Sequence, residues 1–505
     1  YSLLATMLLQ FILLLSFYTL INHFLNKFKN FPPSPFPTLP IVGHFYLLKG
    51  PLYRALAKIS RQHGPLLLLQ LGSRRVLVVS SPSAVEECFT KNDIVLANRP
   101  WVLSAKYIGD NCTSFIWASY GDHWRNLRKM SVLEILSSHR LQSLSSIRSD
   151  EIRLLLQRLV KLKDQTMDMK VAFFELTLNV MMRMLAGKRY YGGDVTEVEE
   201  ARRFQEIVKE TFALIGASAT EDFLPLLRWT GIRGTEKRMI ALQERRDMFV
   251  QELIEENRRR VGSESPSEVK NKTMIQVLLS LQQSEPENYP DRTIKSFLLA
   301  LLVAGTETSS GTMEWAMSLL LNNPDVLLKA QSEIDNQLGH DHLIDESDLS
   351  KLPYLQCIIN ETLRMYPGLP LLIPHESSDE CMVGGFRVPR GTMVFVNIWA
   401  IQNDPKIWEE PSNFRPERFE GSEGVRDGFN SMPFGFGRRS CPGEGLARRM
   451  IGLALGSLLQ CFEWSRISEE FVDLTEGTSF TLPKAQPLLA KCRARPTMIN
   501  LLSQI

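Results

Sequence analysis

The chain has 505 residues, 44% of them hydrophobic and 23% charged, a balance that supports a large buried core. A net charge of +2 gives no footing for nucleic acid as a partner, so any basic patch must be local. The seven cysteines, Cys88, Cys112, Cys357, Cys381, Cys441, Cys461 and Cys492, are scattered, odd in number and free of C-x-x-C spacing. That argues against a disulfide framework or a zinc site and for reduced thiols on the cytosolic side.

The first element is an apolar run from Leu3 to Leu25 without Lys, Arg, Asp or Glu. About 20 apolar residues in a helix span a bilayer, so residues 3–25 are expected to form a single transmembrane anchor. Lys27 and Lys29 follow at once and place the rest of the chain on the cytosolic side. No positive segment precedes the run and no small-residue cleavage site follows it, as a secretory signal would require. Residues 26–44 form a basic, proline-rich hinge, Phe31-Pro-Pro-Ser-Pro-Phe-Pro-Thr-Leu-Pro40, because proline fixes φ and removes donors. The catalytic body is expected over 45–505.

Two short strands are expected over 66–80, around Gly72-Ser-Arg-Arg75. From about 82 to 365 the apolar periodicity is helical. It includes a long apolar helix from Phe297 to Leu321, stopped by Asn322-Asn323-Pro324. Residues 262–272 read as an exposed loop. Shorter β-prone runs return between 366 and 420, among them Thr392–Asn397. A last helix spans about 443–460, and Phe471–Leu501 reads as strands broken by Gly477 and Pro483. The fold class is mainly α with a small β region near the two ends of the chain.

Four patterns carry chemistry. In Pro433-Phe434-Gly435-Phe436-Gly437-Arg438-Arg439-Ser440-Cys441-Pro442-Gly443, two glycines permit tight turns and close approach to a flat ligand. Cys441 sits just before a helix, whose N–H groups favour a thiolate, and Arg439 is placed to meet an anionic group on the same ligand. The bland alternative is a buried structural cysteine in a Gly-rich turn. Glu361-Thr-Leu-Arg364 sets a carboxylate and a guanidinium on one helix face, a common ion pair when taken alone. Trp124 and Arg128 stand at i and i+4, so both can face one partner. In Ala304-Gly305-Thr306-Glu307-Thr308-Ser309, a glycine and polar residues interrupt an apolar helix. Gly305 opens room there, and Thr308 is free to bond backbone or water.

Together, and in this order, the patterns resemble the cytochrome P-450 superfamily: the loop Phe-x-x-Gly-x-Arg-x-Cys-x-Gly, the Glu-x-x-Arg pair and the Gly-x-Glu-Thr-Ser groove. A finer resemblance is to the plant microsomal family numbered eighty-one. It rests on Cys88–Pro100, Gly187–Gly192, Pro374-His-Glu-Ser-Ser378 and Trp399-Ala-Ile401. The resemblance implies the cytochrome P-450 fold and haem b, iron protoporphyrin IX, with Cys441 as axial thiolate and metal ligand. Trp124, Arg128, His375, Phe434 and Arg439 then bind the cofactor. Arg418, in Pro416-Glu-Arg-Phe419, completes a structural triad with Glu361 and Arg364.

The same resemblance gives Thr308 and Glu307 the task of delivering protons while the thiolate favours O–O cleavage of O2. Substrate-lining segments fall on Ile108, Phe115, Trp117, Phe212, Ile215, Ala304, Leu371, Ile373 and Phe480, which are mostly apolar and imply a small hydrophobic aromatic substrate. The chain has no flavin or dinucleotide motif, so electrons from NADPH are expected through a separate NADPH–cytochrome reductase at the endoplasmic reticulum membrane. Arg125, Lys129, Arg438, Arg448 and Arg449 are candidates for its docking patch. The implied activity is O2-dependent hydroxylation of a plant secondary metabolite. Alternatives are oxidative ring closure, such as methylenedioxy-bridge formation, a reductase-independent haem-thiolate isomerase or dehydratase, and a non-enzymatic haem carrier.

Overall fold

A computed structural model of the chain describes residues 28–162, 165–192, 198–229, 234–263, 272–421 and 428–504, with isolated positions nearer the N-terminus. The run read as a membrane anchor lies almost entirely outside the described residues, as does most of the 262–272 loop. Among the described residues no helix is long and apolar enough to cross a membrane.

The principal helices are α1 (Leu52–His63), α2 (Asp122–Met130), α3 (Ser145–Lys161), α4 (Met169–Ala186), α5 (Val198–Phe223), α6 (Thr235–Ser263), α7 (Asp291–Asn322), α8 (Pro324–Leu338), α9 (Pro353–Met365) and α10 (Glu444–Cys461). Strands β1 (Leu66–Leu71) and β2 (Arg74–Val79) form a hairpin near the start. Next come β3 (Thr166–Asp168), β4 (His375–Glu376), β5 (Cys381–Val383), β6 (Phe386–Val388), β7 (Met393–Val396), β8 (Phe462–Arg466) and β9 (Leu489–Ala494). The largest sheet runs β1-β2-β7-β4, with β2 and β7 parallel, so the chain's beginning and its later third share one sheet. A second sheet, β3-β9-β8, joins the middle of the chain to its end.

The hairpin, the helical middle and the helix near 443–460 fall where the sequence places them. The end differs: the strands are β8 and β9, while 471–488 is irregular with one bridge between Glu476 and Lys484. Glycine and proline in that stretch interrupt pairing. The proline-rich segment contains no helix over 31–38 and is tied to β1, where Leu68 N–H donates to Pro33 carbonyl at 2.9 Å.

The core gathers around α7, which packs along α4 and against α9 and α10. A Cβ on Gly305 would meet Met181 of α4 at 2.8 Å. The glycine therefore serves the close approach of two helices and not the opening of a groove. Asp168 caps α4 by accepting from Val171 N–H at 3.1 Å, and Gly187 ends it at φ +73°.

Candidate active site

The cysteine loop packs at the N-terminal end of α10. Gly435 and Gly437 both sit at positive φ, +70° and +69°. A Cβ at Gly437 would come within 2.7 Å of the Asp93 carboxylate, so this glycine permits a close approach to Asp93. The Arg438 guanidinium donates to Asp93 at 2.7 Å. Cys441 N–H closes the loop by donating to Phe434 carbonyl at 2.8 Å, and the Phe434 ring lies under Arg448.

Cys441 is exposed as a residue, yet protein packed around its thiol desolvates it. Burial is the largest influence and pushes the thiol pKa up. The N–H groups of Gly443 and Glu444 and the Arg128 charge oppose it. The helix end acts as the sequence suggests but is outweighed, and a metal cation at the sulfur would reverse the balance.

Three guanidinium groups and a histidine gather beside the loop. Arg128 donates to Ser440 carbonyl at 2.6 Å. Arg439 donates to the carbonyls of Ala97 and Ala118 at 2.8 and 2.6 Å and lies 4.1 Å over the Trp124 ring. Arg99 donates to the carbonyls of Ile373 and Pro374 at 2.7 and 2.9 Å. None of the three forms an ion pair with a carboxylate among the described residues. Burial, with Arg439 nearby, pulls Arg99 well below its usual range; burial and Arg128 pull Arg439 down to about 9.

His375 is buried, with Nδ1 donating to Leu96 carbonyl at 2.7 Å. Burial and the neighbouring Arg99 hold it well below its ordinary pKa. It is neutral in this setting, and its Nε2 would donate only if an anion restored the proton. Buried cations without a counter-charge are costly, and a ligand carrying two carboxylates on a flat body answers that cost. This donor set fits haem propionates. The sequence reading assigns Arg99 no role: it lies inside the Cys88–Pro100 stretch that carries the resemblance, but its neighbours arrive from residues 373–374 and 439.

On α7 the Thr308 hydroxyl donates to Ala304 carbonyl at 2.6 Å, which leaves its oxygen lone pairs to the cavity. Burial pushes the Glu307 carboxyl up, opposed by Lys170. Both side chains line a cavity of 1090 Å³. Of the expected wall residues, Trp117, Phe212, Ile215, Leu371 and Phe480 line it, joined by Phe174 and Phe223, which the sequence reading does not single out.

Four expected wall residues are not among those lining it. Ile108 is in the core, with its carbonyl taken by Arg246, and Phe115 stacks on Trp124 and packs on Phe297. Ile373 packs on the sheet cluster, and Ala304, though open on its helix face, is not part of this wall. Side-chain direction decides these cases, and apolar character alone does not reveal it.

Glu361 and Arg364 are fully buried and bonded at 2.7 and 2.8 Å, and Arg418 donates to the same carboxylate at 3.2 Å. Arg364 also donates to Gln402 and Pro411 carbonyls at 2.6 and 2.8 Å, tying α9 to the following meander. Of the five docking candidates, Arg438 and Arg448 are held by Asp93 and Glu444, and Arg449 lies 3.3 Å from Glu346. Arg125 and Lys129 are exposed, Arg125 paired with Asp122 on its own helix.

A helical body with a cysteine loop beside a cationic cluster and an acid–alcohol pair facing an apolar cavity fits a haem-thiolate oxygenase. A family model described as cytochrome P450 matches residues 32–490, and the chain belongs to that family. It is a haem-thiolate monooxygenase. Among similar proteins, Cytochrome P450 81Q32 of Catharanthus roseus is 50% identical over 94% of both chains. The (+)-piperitol/(+)-sesamin synthase CYP81Q2 of Sesamum radiatum is 49% identical over 94% of this chain and 92% of that protein. Isoflavone 3'-hydroxylase of Medicago truncatula is 49% identical over 93% and 94%. A zebra fish cytochrome P450 structure with abiraterone superposes with TM-score 0.75 at 27% identity, covering 88% of this chain and 100% of that one.

Proposed function

We propose that this chain hydroxylates a small hydrophobic aromatic plant metabolite, using O2 and electrons from NADPH passed through a separate reductase. The observation that carries this reading is the 1090 Å³ cavity, walled by Trp117, Phe212, Phe223 and Phe480 and reaching Thr308 and Glu307. Aromatic walls favour a flat apolar ligand through offset stacking and area burial. The relative named isoflavone 3'-hydroxylase supports an aromatic substrate.

Bound haem supplies the activation of dioxygen. Cys441 is the residue placed to hold its iron, and Arg99, Arg128 and Arg439 are placed to hold its carboxylates, with Trp124 packing beneath Arg439. Thr308, whose hydroxyl hydrogen is committed to Ala304, accepts a hydrogen bond from water and holds that water beside the cavity. Glu307, kept protonated to higher pH than an ordinary carboxyl, supplies protons to it. The apolar cavity walls orient the ring to be oxidised.

The relative named (+)-piperitol/(+)-sesamin synthase favours a second reading, oxidative ring closure on a similar substrate. Membranes containing this chain and a reductase, incubated with a panel of plant phenolics, distinguish the two by mass. Hydroxylation adds one oxygen, and ring closure removes two hydrogens. Cys441→Ser should abolish the long-wavelength absorption of the reduced carbon monoxide complex. A wild-type protein showing the shorter-wavelength band of histidine ligation would overturn the assignment.

The apolar run 3–25 and the lysines after it support a single-pass anchor in the endoplasmic reticulum membrane. Deleting residues 1–30 should weaken membrane association and leave haem binding intact. Loss of haem in the truncated protein would mean that the segment belongs to the catalytic fold.

A further inference from the structure

We infer that Glu307, Ser310 and Glu314, with the open space beside Gly311, form a proton path along α7, in a cavity that Lys170 also lines. The inference rests on the monooxygenase reading and extends the path outward from the acid–alcohol pair. Positions 307, 310, 311 and 314 recur at helical spacing, so they share one face. All four line the same cavity. A Cβ built on Gly311 would meet nothing within 4 Å. Room for water therefore exists on the helix face between the two carboxyls.

The side chains beside that space have capacity left. The Ser310 hydroxyl donates to Glu307 carbonyl at 3.0 Å and so can still accept. Glu314 is 2% exposed, yet only its Oε1 is engaged, by Leu488 N–H at 3.0 Å. Its other oxygen has no hydrogen-bond partner among the described residues. Lys170, in the first turn of α4, lines the cavity and forms no ion pair among the described residues.

Burial pushes both carboxyls up; Lys170 opposes the rise at Glu307, and at Glu314 the Leu488 N–H opposes it first, then Lys170 and Lys484. Glu307 faces Lys170 from α4. Glu314 faces Lys170 from α4, Asp168 from β3 and Lys484 from the C-terminal loop, where Lys484 also donates to Asp473 carbonyl.

The chemistry is proton transfer alone. A proton passes from Glu307 to the water held at Thr308, and Glu307 is reprotonated through water beside Gly311. Glu314 gives that proton and regains one from solvent on the Lys170 side. No electron moves along the path; those come with the established activity.

A purely structural Glu314, anchoring Leu488, is the competing view. Glu314→Gln separates them, because the amide oxygen still accepts from Leu488 but the side chain no longer titrates. Gly311→Val fills the space and touches no titratable group. The holoenzyme with its reductase is assayed for NADPH used, peroxide released and product formed, in H2O and D2O, with substrate affinity followed by spectral titration. Glu314→Gln keeps the side chain's shape and should bind substrate nearly as well as wild type, whereas Gly311→Val narrows the shared cavity; both should lose coupling on the order of tenfold, below the full contribution of a general acid, and show a larger solvent isotope effect. Should Gly311→Val impair binding, Glu314→Gln alone decides.

Wild-type coupling should fall as pH rises through the raised pKa of these acids. Lys170→Met removes an opposing cation, so that fall should move to higher pH, while Lys170→Arg should leave it in place. A fall that does not move overturns the part given to Lys170. Wild-type coupling and isotope effect in Glu314→Gln, with Thr308→Ala uncoupled, overturn the path and spare the monooxygenase reading. Full coupling in Thr308→Ala, together with NADPH-independent turnover, would instead remove that reading.

Discussion

Two clusters of arginine, one around Glu361 and one around Arg439, are built on opposite terms. Around Glu361 every charge has a partner: Arg364 and Arg418 share one carboxylate, and their remaining donors reach backbone carbonyls. Around Arg439 the guanidinium groups of Arg99, Arg128 and Arg439 meet carbonyls, the Ser440 hydroxyl and an aromatic face, and no carboxylate among the described residues. The first cluster is complete within the protein and reads as structure. The second lacks an anion and reads as a binding site. The same residue type thus serves opposite ends, and the presence or absence of a counter-charge separates them.

The largest expected effect tests the closed cluster. Glu361→Ala leaves Arg364 and Arg418 buried without their carboxylate, at a cost of about 3–5 kcal/mol. Denaturant unfolding should show that loss, and the carbon monoxide spectrum should show little retained haem. A stable, haem-loaded Glu361→Ala protein with a changed product would place Glu361 in the site instead of the scaffold.

The open cluster should respond differently. In Arg439→Gln the apoprotein should keep its stability to within roughly 1 kcal/mol, because a neutral amide replaces an unpaired cation while losing a modest hydrogen bond. Haem retention should nevertheless fall. Arginine keeps its charge across the accessible pH range, so this contrast should hold at every pH at which the apoprotein is folded. Equal losses of apoprotein stability and haem affinity would make the two clusters alike.

The closed cluster was legible in the sequence because its geometry is mostly local: Glu361 and Arg364 are three apart on one helix, and Arg418 follows in a short recognisable segment. Cys441 and Thr308 were legible for the same reason. Arg99 was not, since its neighbours come from distant segments and nothing nearby predicts its burial. The cavity wall was half legible. Apolar character marks Trp117 and Phe480 but equally marks Ile108 and Phe115, which pack into the core. Lys170 and Glu314 were missed because polar residues on a helix usually face solvent, and only the packing of α4 on α7 turns them inward.

That packing supplies the smallest effect, within α7 itself, where a closed face and an open face meet at adjacent residues. Gly305 faces Met181, with a Cβ contact of 2.8 Å, whereas Ala304 beside it is open and its carbonyl holds Thr308. Gly305→Ala gains about 0.5–1 kcal/mol of helix propensity but must displace a methionine, and overpacking typically costs about 1–3 kcal/mol. Met181 is flexible, so the low end applies and a net loss of about 1 kcal/mol or less is expected. Met181→Ala should remove the clash, so that Gly305→Ala added to it stabilises, a coupling readable in a double-mutant cycle. Coupling of NADPH to product should stay unchanged throughout. If Gly305→Ala uncouples turnover while leaving stability untouched, the glycine serves the dioxygen groove after all, and the boundary between the packed and open faces of α7 lies one residue further toward α4.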